Sequence, residues 1–113
     1  LLTRRIAGAR SLVEAVRAQD APWAKIGAVL ARFHALAIRH ADLNANNILI
    51  DADDAVHFID WDKGRIDHCE NGWPEAVLAR LIRSLHKENS GSGRAYLEAG
   101  IAAMTSGYRR KMP

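Results

Sequence analysis

The chain has 113 residues and a net charge of +3 at pH 7, and 49% of its residues are hydrophobic. This length suits one domain with a single core, and so mild a positive charge does not by itself indicate a nucleic-acid-binding protein. A single cysteine, Cys69, excludes an internal disulfide, and no apolar run approaches the roughly 18 residues of a spanning helix, so we expect a soluble domain in a reducing compartment.

The beginning of the chain predicts two helices. Ser11, followed three residues later by Glu14, forms a capping box and predicts a short helix to about Ala18. Asp20 is the candidate N-cap of a second helix, with Pro22 in its first turn. Spacings of three and four predict that the second helix buries one apolar face, formed by Trp23, Ile26, Leu30, Phe33 and Ala37.

A β-hairpin is predicted in the middle of the chain. Ile48–Ile50 and Val56–Ile59 are rich in β-branched and aromatic residues, and the acidic stretch 51–55 between them is typical of a turn. A calcium loop is disfavoured there, because the stretch lacks the glycine and the distal glutamate of such loops. The hairpin should hold the loops at its two ends in fixed positions.

Two more helices are predicted after the hairpin. The first begins near Pro74 and runs to about Lys87, and the last runs from about Arg94 to Gly107. Their inward residues are Val77, Leu78, Leu81, Ile82 and Leu85 in the first, and Tyr96, Leu97, Ile101 and Met104 in the second. The predicted fold class is therefore α+β and mainly helical.

Three polar residues flank the hairpin in an order that suits phosphoryl transfer. Asp42 and Asn47 precede the first strand, and Asp60 follows the second. Transfer to a hydroxyl needs one acid beside the alcohol, and Mg²⁺ prefers carboxylate and carbonyl oxygens. Each residue alone would be ascribed to capping or turn formation, but the joint pattern favours a metal-assisted site.

These residues resemble the catalytic elements of kinases. His40-Ala41-Asp42-Leu43, with Asn47 after three further residues, is similar to the kinase catalytic loop, and Phe58-Ile59-Asp60 is similar to the strand and aspartate of the second metal-binding element. Asparagine at position 44, where protein kinases prefer lysine, is more typical of the small-molecule kinases of that superfamily.

The flanking sequence narrows the resemblance to one family. Over nearly the whole chain the sequence resembles 3-deoxy-D-manno-octulosonic acid (Kdo) kinases, which phosphorylate a Kdo sugar on a lipid A precursor during lipopolysaccharide assembly. The segments that carry this resemblance are 3–9, 22–27, 40–49, 72–73 and 78–87.

The resemblance implies a fold, cofactors and residue roles. Residues 1–113 would be the C-terminal lobe of a protein-kinase-like fold, with 1–7 as the end of the hinge. Asp42 would be the catalytic aspartate, Asn47 and Asp60 would hold Mg²⁺ and through it ATP, and His40 would brace the loop. Ala41 replaces the arginine that binds a regulatory phosphate in protein kinases. Asp62 has two possible roles, as a further metal ligand or as a partner in a surface ion pair.

The sequence departs from the superfamily pattern in the elements that bind the nucleotide. The sequence has no glycine-rich phosphate loop and no strand lysine. The chain begins at Leu1 without a methionine, so we expect a piece of a longer protein that turns over little alone. A lipopolysaccharide heptose kinase, an aminoglycoside- or choline-type kinase, and a non-catalytic glycolipid-binding module remain as alternatives.

Two clusters of basic residues suggest a location. Arg80, Arg83 and Lys87 recur at helical spacing, and 109–111 is a second cluster. We expect the protein to be cytoplasmic, with peripheral contact on the cytoplasmic face of the inner membrane, although an ordinary solvated surface explains the clusters equally well. No nucleic acid is expected as a partner, and the lone cysteine with scattered histidines disfavours zinc.

Overall fold

The structure is a computed structural model that describes residues 8–40, 43–59, 65–66, 72–89, 91 and 93–112. Within these residues the chain forms four α-helices, five short strands and one 3₁₀ turn, which confirms the predicted mainly helical α+β class. In chain order they are β1 (Arg10–Ser11), α1 (Leu12–Arg17), α2 (Trp23–Ala35), β2 (Ile38–Arg39), the 3₁₀ turn (Ala45–Asn47), β3 (Ile48–Ile50), β4 (Val56–Phe58), β5 (Arg65–Ile66), α3 (Trp73–Glu88) and α4 (Arg94–Lys111).

The predicted hairpin is confirmed. β3 and β4 pair antiparallel, with Ile48 opposite Phe58. The turn is closed by Asp51, whose Oδ1 accepts hydrogen bonds from the backbone N–H groups of Asp53 at 2.8 Å and Ala55 at 2.9 Å. Its Oδ2 lies 2.8 Å from Nε2 of His57, and this bond, together with the backbone donors, lowers the pKa of Asp51. This aspartate therefore serves the turn, as the sequence predicted for the acidic stretch.

Short strands attach two parts of the chain to the rest of the fold. These parts are the hairpin and the segment that leads into the predicted catalytic loop. β1 pairs antiparallel with the outer side of β3, and β2 pairs antiparallel with β5. None of these two-residue strands was predicted, because two residues are too few to give a periodic signal. They matter for the site because β2 leads directly into His40.

The capping box before α1 is confirmed. The Oγ of Ser11 accepts a hydrogen bond from the N–H of Glu14 at 3.2 Å, and the carboxylate of Glu14 accepts one from the N–H of Ser11 at 2.9 Å. Two backbone donors that the first turn of a helix leaves unpaired are thereby satisfied. The helix starts at Leu12, where the sequence predicted it.

Two predictions for α2 were wrong, namely its N-cap and the inclusion of Ala37 in its apolar face. The N-cap is Pro22 and not Asp20, whose carboxylate instead pairs with the guanidinium of Arg10 at 2.6 Å. The helix ends at Ala35, and Ala37 lies outside it with a φ of 59°. Ala37 matched the apolar spacing, but the left-handed conformation there turns the chain into β2, and helical periodicity does not report such a turn.

The main packing contact of the fold joins α2 to α4 at glycine positions. A Cβ atom at Gly27 would overlap the backbone carbonyl of Met104, and one at Gly107 would lie 2.6 Å from the carbonyl oxygen of Ala24. The indole of Trp23 occupies the corresponding space over Gly100. Because the backbones approach so closely, these two helices form a rigid pair, and α4 continues four residues beyond its predicted end at Gly107.

The remaining predicted faces are largely confirmed. In α3 the side chains of Val77, Leu78, Leu81 and Leu85 are buried, and Ile82 is partly buried against the same core. The helix begins after Gly72, which has a φ of 70°, and this conformation is one that glycine adopts readily. Among the described residues, none of the helices has the length and apolar character that a bilayer-crossing segment needs.

A buried histidine links three of the helices. His34 of α2 is 1% exposed, its Nδ1 forms a 2.6 Å hydrogen bond with the hydroxyl of Tyr108 in α4, and its ring stands edge-on to Trp73 of α3. Removal from water disfavours the charged imidazolium and lowers the pKa of His34 from 6.5 to about 4. The core therefore holds a neutral imidazole at pH 7.

Acidification should weaken the fold through His34. Its folded pKa lies below its unfolded one, so its contribution is fully present above pH 6.5 and is lost as the pH falls from 6.5 towards 4. At roughly 1.4 kcal/mol per pKa unit, we expect a loss of about 2 kcal/mol by pH 5. Urea unfolding of the wild type and of His34→Gln at pH 7 and pH 5 measures this contribution. Equal pH dependence in the two proteins would contradict it.

Candidate active site

Three separate segments of the chain meet at one hydrogen-bonded junction. The imidazole of His40, 2% exposed, donates through Nε2 to the carbonyl oxygen of Ile59 at 2.6 Å. The N–H of Ile59 in turn donates to the carbonyl oxygen of Asn47 at 2.8 Å. Since a carbonyl can only accept, Nε2 of His40 carries the proton. His40 thus ties the end of β2 to the chain leaving β4, the bracing role that the resemblance implied.

The segment that leads into this junction is held from two sides. β2 is paired with β5, and the guanidinium carbon of Arg39 lies 5.6 Å from the ring centre of Trp73, at the start of α3. A cation over an indole face at this distance is attractive. The backbone entering His40 is therefore fixed against α3 as well as against the neighbouring strand.

The turn that precedes β3 is held by its own asparagines. The N–H of Asn44 donates to Oδ1 of Asn47 at 3.1 Å, and the N–H of Asn46 donates to Oδ1 of Asn44 at 2.8 Å. Asn47 is 7% exposed. Its carboxamide is therefore oriented by a backbone donor three residues earlier, in the same reciprocal pattern that caps helices.

Helix α3 supplies a further support for this turn. The Oγ of Ser84 accepts a hydrogen bond from the N–H of Ala45 at 2.9 Å and donates to the carbonyl of Leu81 at 2.8 Å. Ala45 is fully buried, so its N–H has no access to water. Ser84 thus connects the turn to a helix 39 residues further along the chain.

Ser84→Ala should destabilise the protein by about 2 kcal/mol, because it leaves a buried N–H without its acceptor. Urea unfolding measures the loss. Ser106→Ala is the matched control, since Ser106 is an exposed helical serine on α4, and this change should be neutral or slightly stabilising. Ser84→Thr keeps the hydroxyl and should recover much of the loss. A Ser84→Ala protein as stable as the wild type would show that the bond contributes nothing.

Of the three residues predicted for the site, the structure describes one. Asn47 lies at the junction, at the mouth of β3. Asp42 and Asp60 lie outside the described residues. In the sequence Asp42 comes two residues after His40 and directly before Leu43, and Asp60 directly follows Ile59, so the 2.6 Å bond joins one described residue near each of them in the sequence.

Sequence reasoning missed two residues that organise the site. Asn44 had a usable signal, because an asparagine three residues before another side-chain acceptor has the spacing of a capping box. Ser84 had none, because nothing local in the sequence relates a helical serine to a turn so far away. Neither residue was among the predicted site residues.

Asn47 is the described member of the pair of residues predicted to hold a hard divalent cation such as Mg²⁺. Carboxylate and amide oxygens are the usual protein ligands of such a cation. The carboxamide oxygen of Asn47 has two lone pairs, so it can accept the bond from Asn44 and also ligate a cation.

Comparison with known proteins identifies the family. The sequence profile of the lipopolysaccharide kinase (Kdo/WaaP) family matches residues 1–108. A 3-deoxy-D-manno-octulosonic acid kinase of Stenotrophomonas maltophilia (strain K279a) is 45% identical over 89 residues, which cover 77% of this chain and 36% of that protein. The protein of the same name from Xanthomonas axonopodis pv. citri is 39% identical over 110 residues, which cover 96% of this chain and 44% of that protein.

The chain belongs to the lipopolysaccharide kinase (Kdo/WaaP) family. A third relative, from Xylella fastidiosa (strain 9a5c), carries the same Kdo kinase name and is 42% identical over 89 residues, 77% of this chain and 36% of that protein. The matched segments thus span between 36% and 44% of the length of these curated relatives. The family confirms the resemblance seen in the sequence.

Proposed function

We propose that residues 1–113 are the C-terminal lobe of a protein-kinase-like enzyme, with 1–7 as the end of its hinge. The support is the junction of His40, Asn47 and Ile59, which joins the end of β2 to both strands of the hairpin. Relatives of more than twice the matched length are consistent with a further lobe that would complete the nucleotide site. The isolated chain should therefore transfer little or no phosphate.

The reaction we propose is transfer of the γ-phosphoryl group of ATP to a sugar hydroxyl. Asp42 would accept the proton of the hydroxyl and aim its oxygen at the phosphorus. Asn47 and Asp60 would hold Mg²⁺, which when bound neutralises the charge on the phosphates. His40 would keep the two segments carrying Asp42 and Asp60 together without touching the reacting atoms.

The substrate we propose is the Kdo sugar of a lipid A precursor. The names of the relatives support this substrate, and the 45% identity concerns the part of the chain that holds the catalytic loop. A precursor anchored in a bilayer would also suit an enzyme that is cytoplasmic and attaches peripherally to the cytoplasmic face of the inner membrane, through one of its basic clusters.

Phosphate transfer from labelled ATP by the full-length protein tests the proposal. We expect transfer to Kdo-lipid A precursor, and none to a heptosylated precursor, an aminoglycoside or choline. A preference for one of the other acceptors would contradict the assigned substrate but retain the chemistry. Calorimetric binding of the Kdo-lipid without transfer from Mg-ATP would contradict the enzyme and would support a non-catalytic glycolipid-binding module.

A further inference from the structure

Four cations lie together on the surface formed by the beginning of α2 and the end of α4. We call this the α2–α4 basic surface, and it consists of Lys25, Thr105, Ser106, Arg109, Arg110 and Lys111. Two adjoining concavities open on it, of about 600 Å³ and about 420 Å³, and Arg110 lines both. The lysines and arginines are all exposed.

The stretches of α2 and α4 that form this surface carry no carboxylate. α2 contains no aspartate or glutamate, and α4 contains none from position 99 to its end at Lys111. Basic residues in a last turn also complement the helix dipole, but that accounts for only about half an elementary charge. Three consecutive cations at the end of α4, with Lys25 beside them, exceed what the dipole requires.

The packing of the two helices makes this arrangement rigid. The close approach at Gly27 and Gly107 fixes α2 against α4, so Lys25 lines the same concavity as Arg110 and Lys111. Small residues, Ala24 and Ala28, line this concavity between the basic side chains. Cations held on a rigid support lose less freedom when they bind a charged surface.

The basic cluster on α3 has a less positive balance of charges. On α3, Arg80, Arg83 and Lys87 share their helix with Glu75 and Glu88, so three cations are offset by two carboxylates. Counted over whole helices in the same way, α2 and α4 together carry six lysines and arginines and one carboxylate, that of Glu98, which pairs with Arg94. An anionic partner should therefore be attracted more strongly to the α2–α4 basic surface.

We propose that the α2–α4 basic surface binds the phosphate head groups of an anionic lipid bilayer and holds the lobe against the membrane. This deepens the peripheral attachment in the proposed function, but it rests on the charge and shape of two helices and not on phosphate transfer. Several cations spread over two concavities suit many phosphates in one plane. Among the residues named for the surface none is aromatic, so it lacks the stacking groups typical of single-stranded nucleic-acid sites.

The experiment compares binding of the full-length protein to phosphatidylcholine vesicles with and without phosphatidylglycerol. We expect binding only to the anionic vesicles. The pair Arg110→Glu and Lys111→Glu should weaken it by at least about tenfold, on the basis of roughly 1 kcal/mol per basic residue near an anionic surface. The pair Arg80→Glu and Arg83→Glu is the matched control, with the same change of charge on α3, and should weaken binding several-fold less.

Three results would overturn the proposal. They are absence of binding to the anionic vesicles, equal weakening by the two variant pairs, and full displacement by millimolar inorganic phosphate, which would indicate a discrete phosphate site. Phosphate transfer to detergent-dispersed substrate by the same proteins separates this proposal from the proposed function. A protein that transfers phosphate but does not bind vesicles would refute only the proposed membrane surface. A protein that binds vesicles but does not transfer phosphate would refute only the proposed enzymatic function.

Discussion

Replacing Asp42 with alanine in the full-length protein should lower the rate of phosphate transfer by about a thousandfold, within the range that removal of a catalytic base produces. The carboxylate would both accept the proton of the sugar hydroxyl and hold its oxygen in line with the phosphorus. Because the proposed function assigns the binding of Mg-ATP to other residues, the loss should appear in kcat and not in the KM for ATP. Single-turnover transfer at saturating ATP measures it directly.

The control for this substitution is Asp53→Ala. Asp53 is an exposed aspartate in the hairpin turn, and it supports the turn through its backbone N–H, which the substitution keeps. Its replacement should leave the rate within about twofold, as expected for a surface position away from the chemistry. An Asp42→Ala protein that retains a tenth of the wild-type rate would contradict the assigned role, and so would an equal loss in the control.

Gly27→Ala should destabilise the fold by about 3 kcal/mol, the upper end of the range for overpacking a close contact. The new Cβ would overlap the backbone carbonyl of Met104 and lie 2.9 Å from the backbone nitrogen of Tyr108. Backbone atoms cannot rotate away as a side chain can, so α2 and α4 would have to separate. The gain in helix propensity from glycine to alanine, about 1 kcal/mol, is already included in this net figure.

Urea unfolding of Gly27→Ala and Gly91→Ala compares a packed with an open glycine. Among the described residues other than Gly91 itself and its chain neighbours, none has an atom within 4 Å of the position that a Cβ would take at Gly91, which lies between α3 and α4. This second change should alter the free energy of unfolding by less than about 0.5 kcal/mol. Equal stability of the two variants would show that the α2–α4 contact relaxes at no cost and is not the rigid pair inferred here.

The sequence predicted those elements whose signal is local. The capping box at Ser11 and Glu14 fixed the start of α1, and the apolar runs on either side of an acidic turn predicted the hairpin with its correct partners. The inclusion of Ala37 in the apolar face of α2 was wrong because this residue continues the apolar spacing while its backbone turns away from the helix. Nothing in the local sequence indicates that an alanine adopts the left-handed backbone conformation.

In the candidate site too, residues within a local sequence motif were predicted, and the support from a long-range contact was not. Asn47 and the bracing role of His40 came from a short motif and its resemblance to kinases, and the structure brings both to the junction with Ile59. The bond from Ala45 to Ser84 joins residues 39 positions apart, and only the packing of α3 against the turn creates it. A sequence motif identifies the reacting groups, whereas the supports that orient them come from the tertiary fold.

The most direct test is a crystal structure of the full-length protein with Mn²⁺ and a non-hydrolysable ATP analogue, with the metal located by its anomalous scattering. Mn²⁺ replaces Mg²⁺ at oxygen sites, so we expect the metal at about 2.1 Å from Oδ1 of Asn47 and from a carboxylate oxygen of Asp60. The carboxylate of Asp42 should face the terminal phosphate. A metal bound elsewhere, or three side chains that point away from one another, would contradict a phosphotransferase site in this chain.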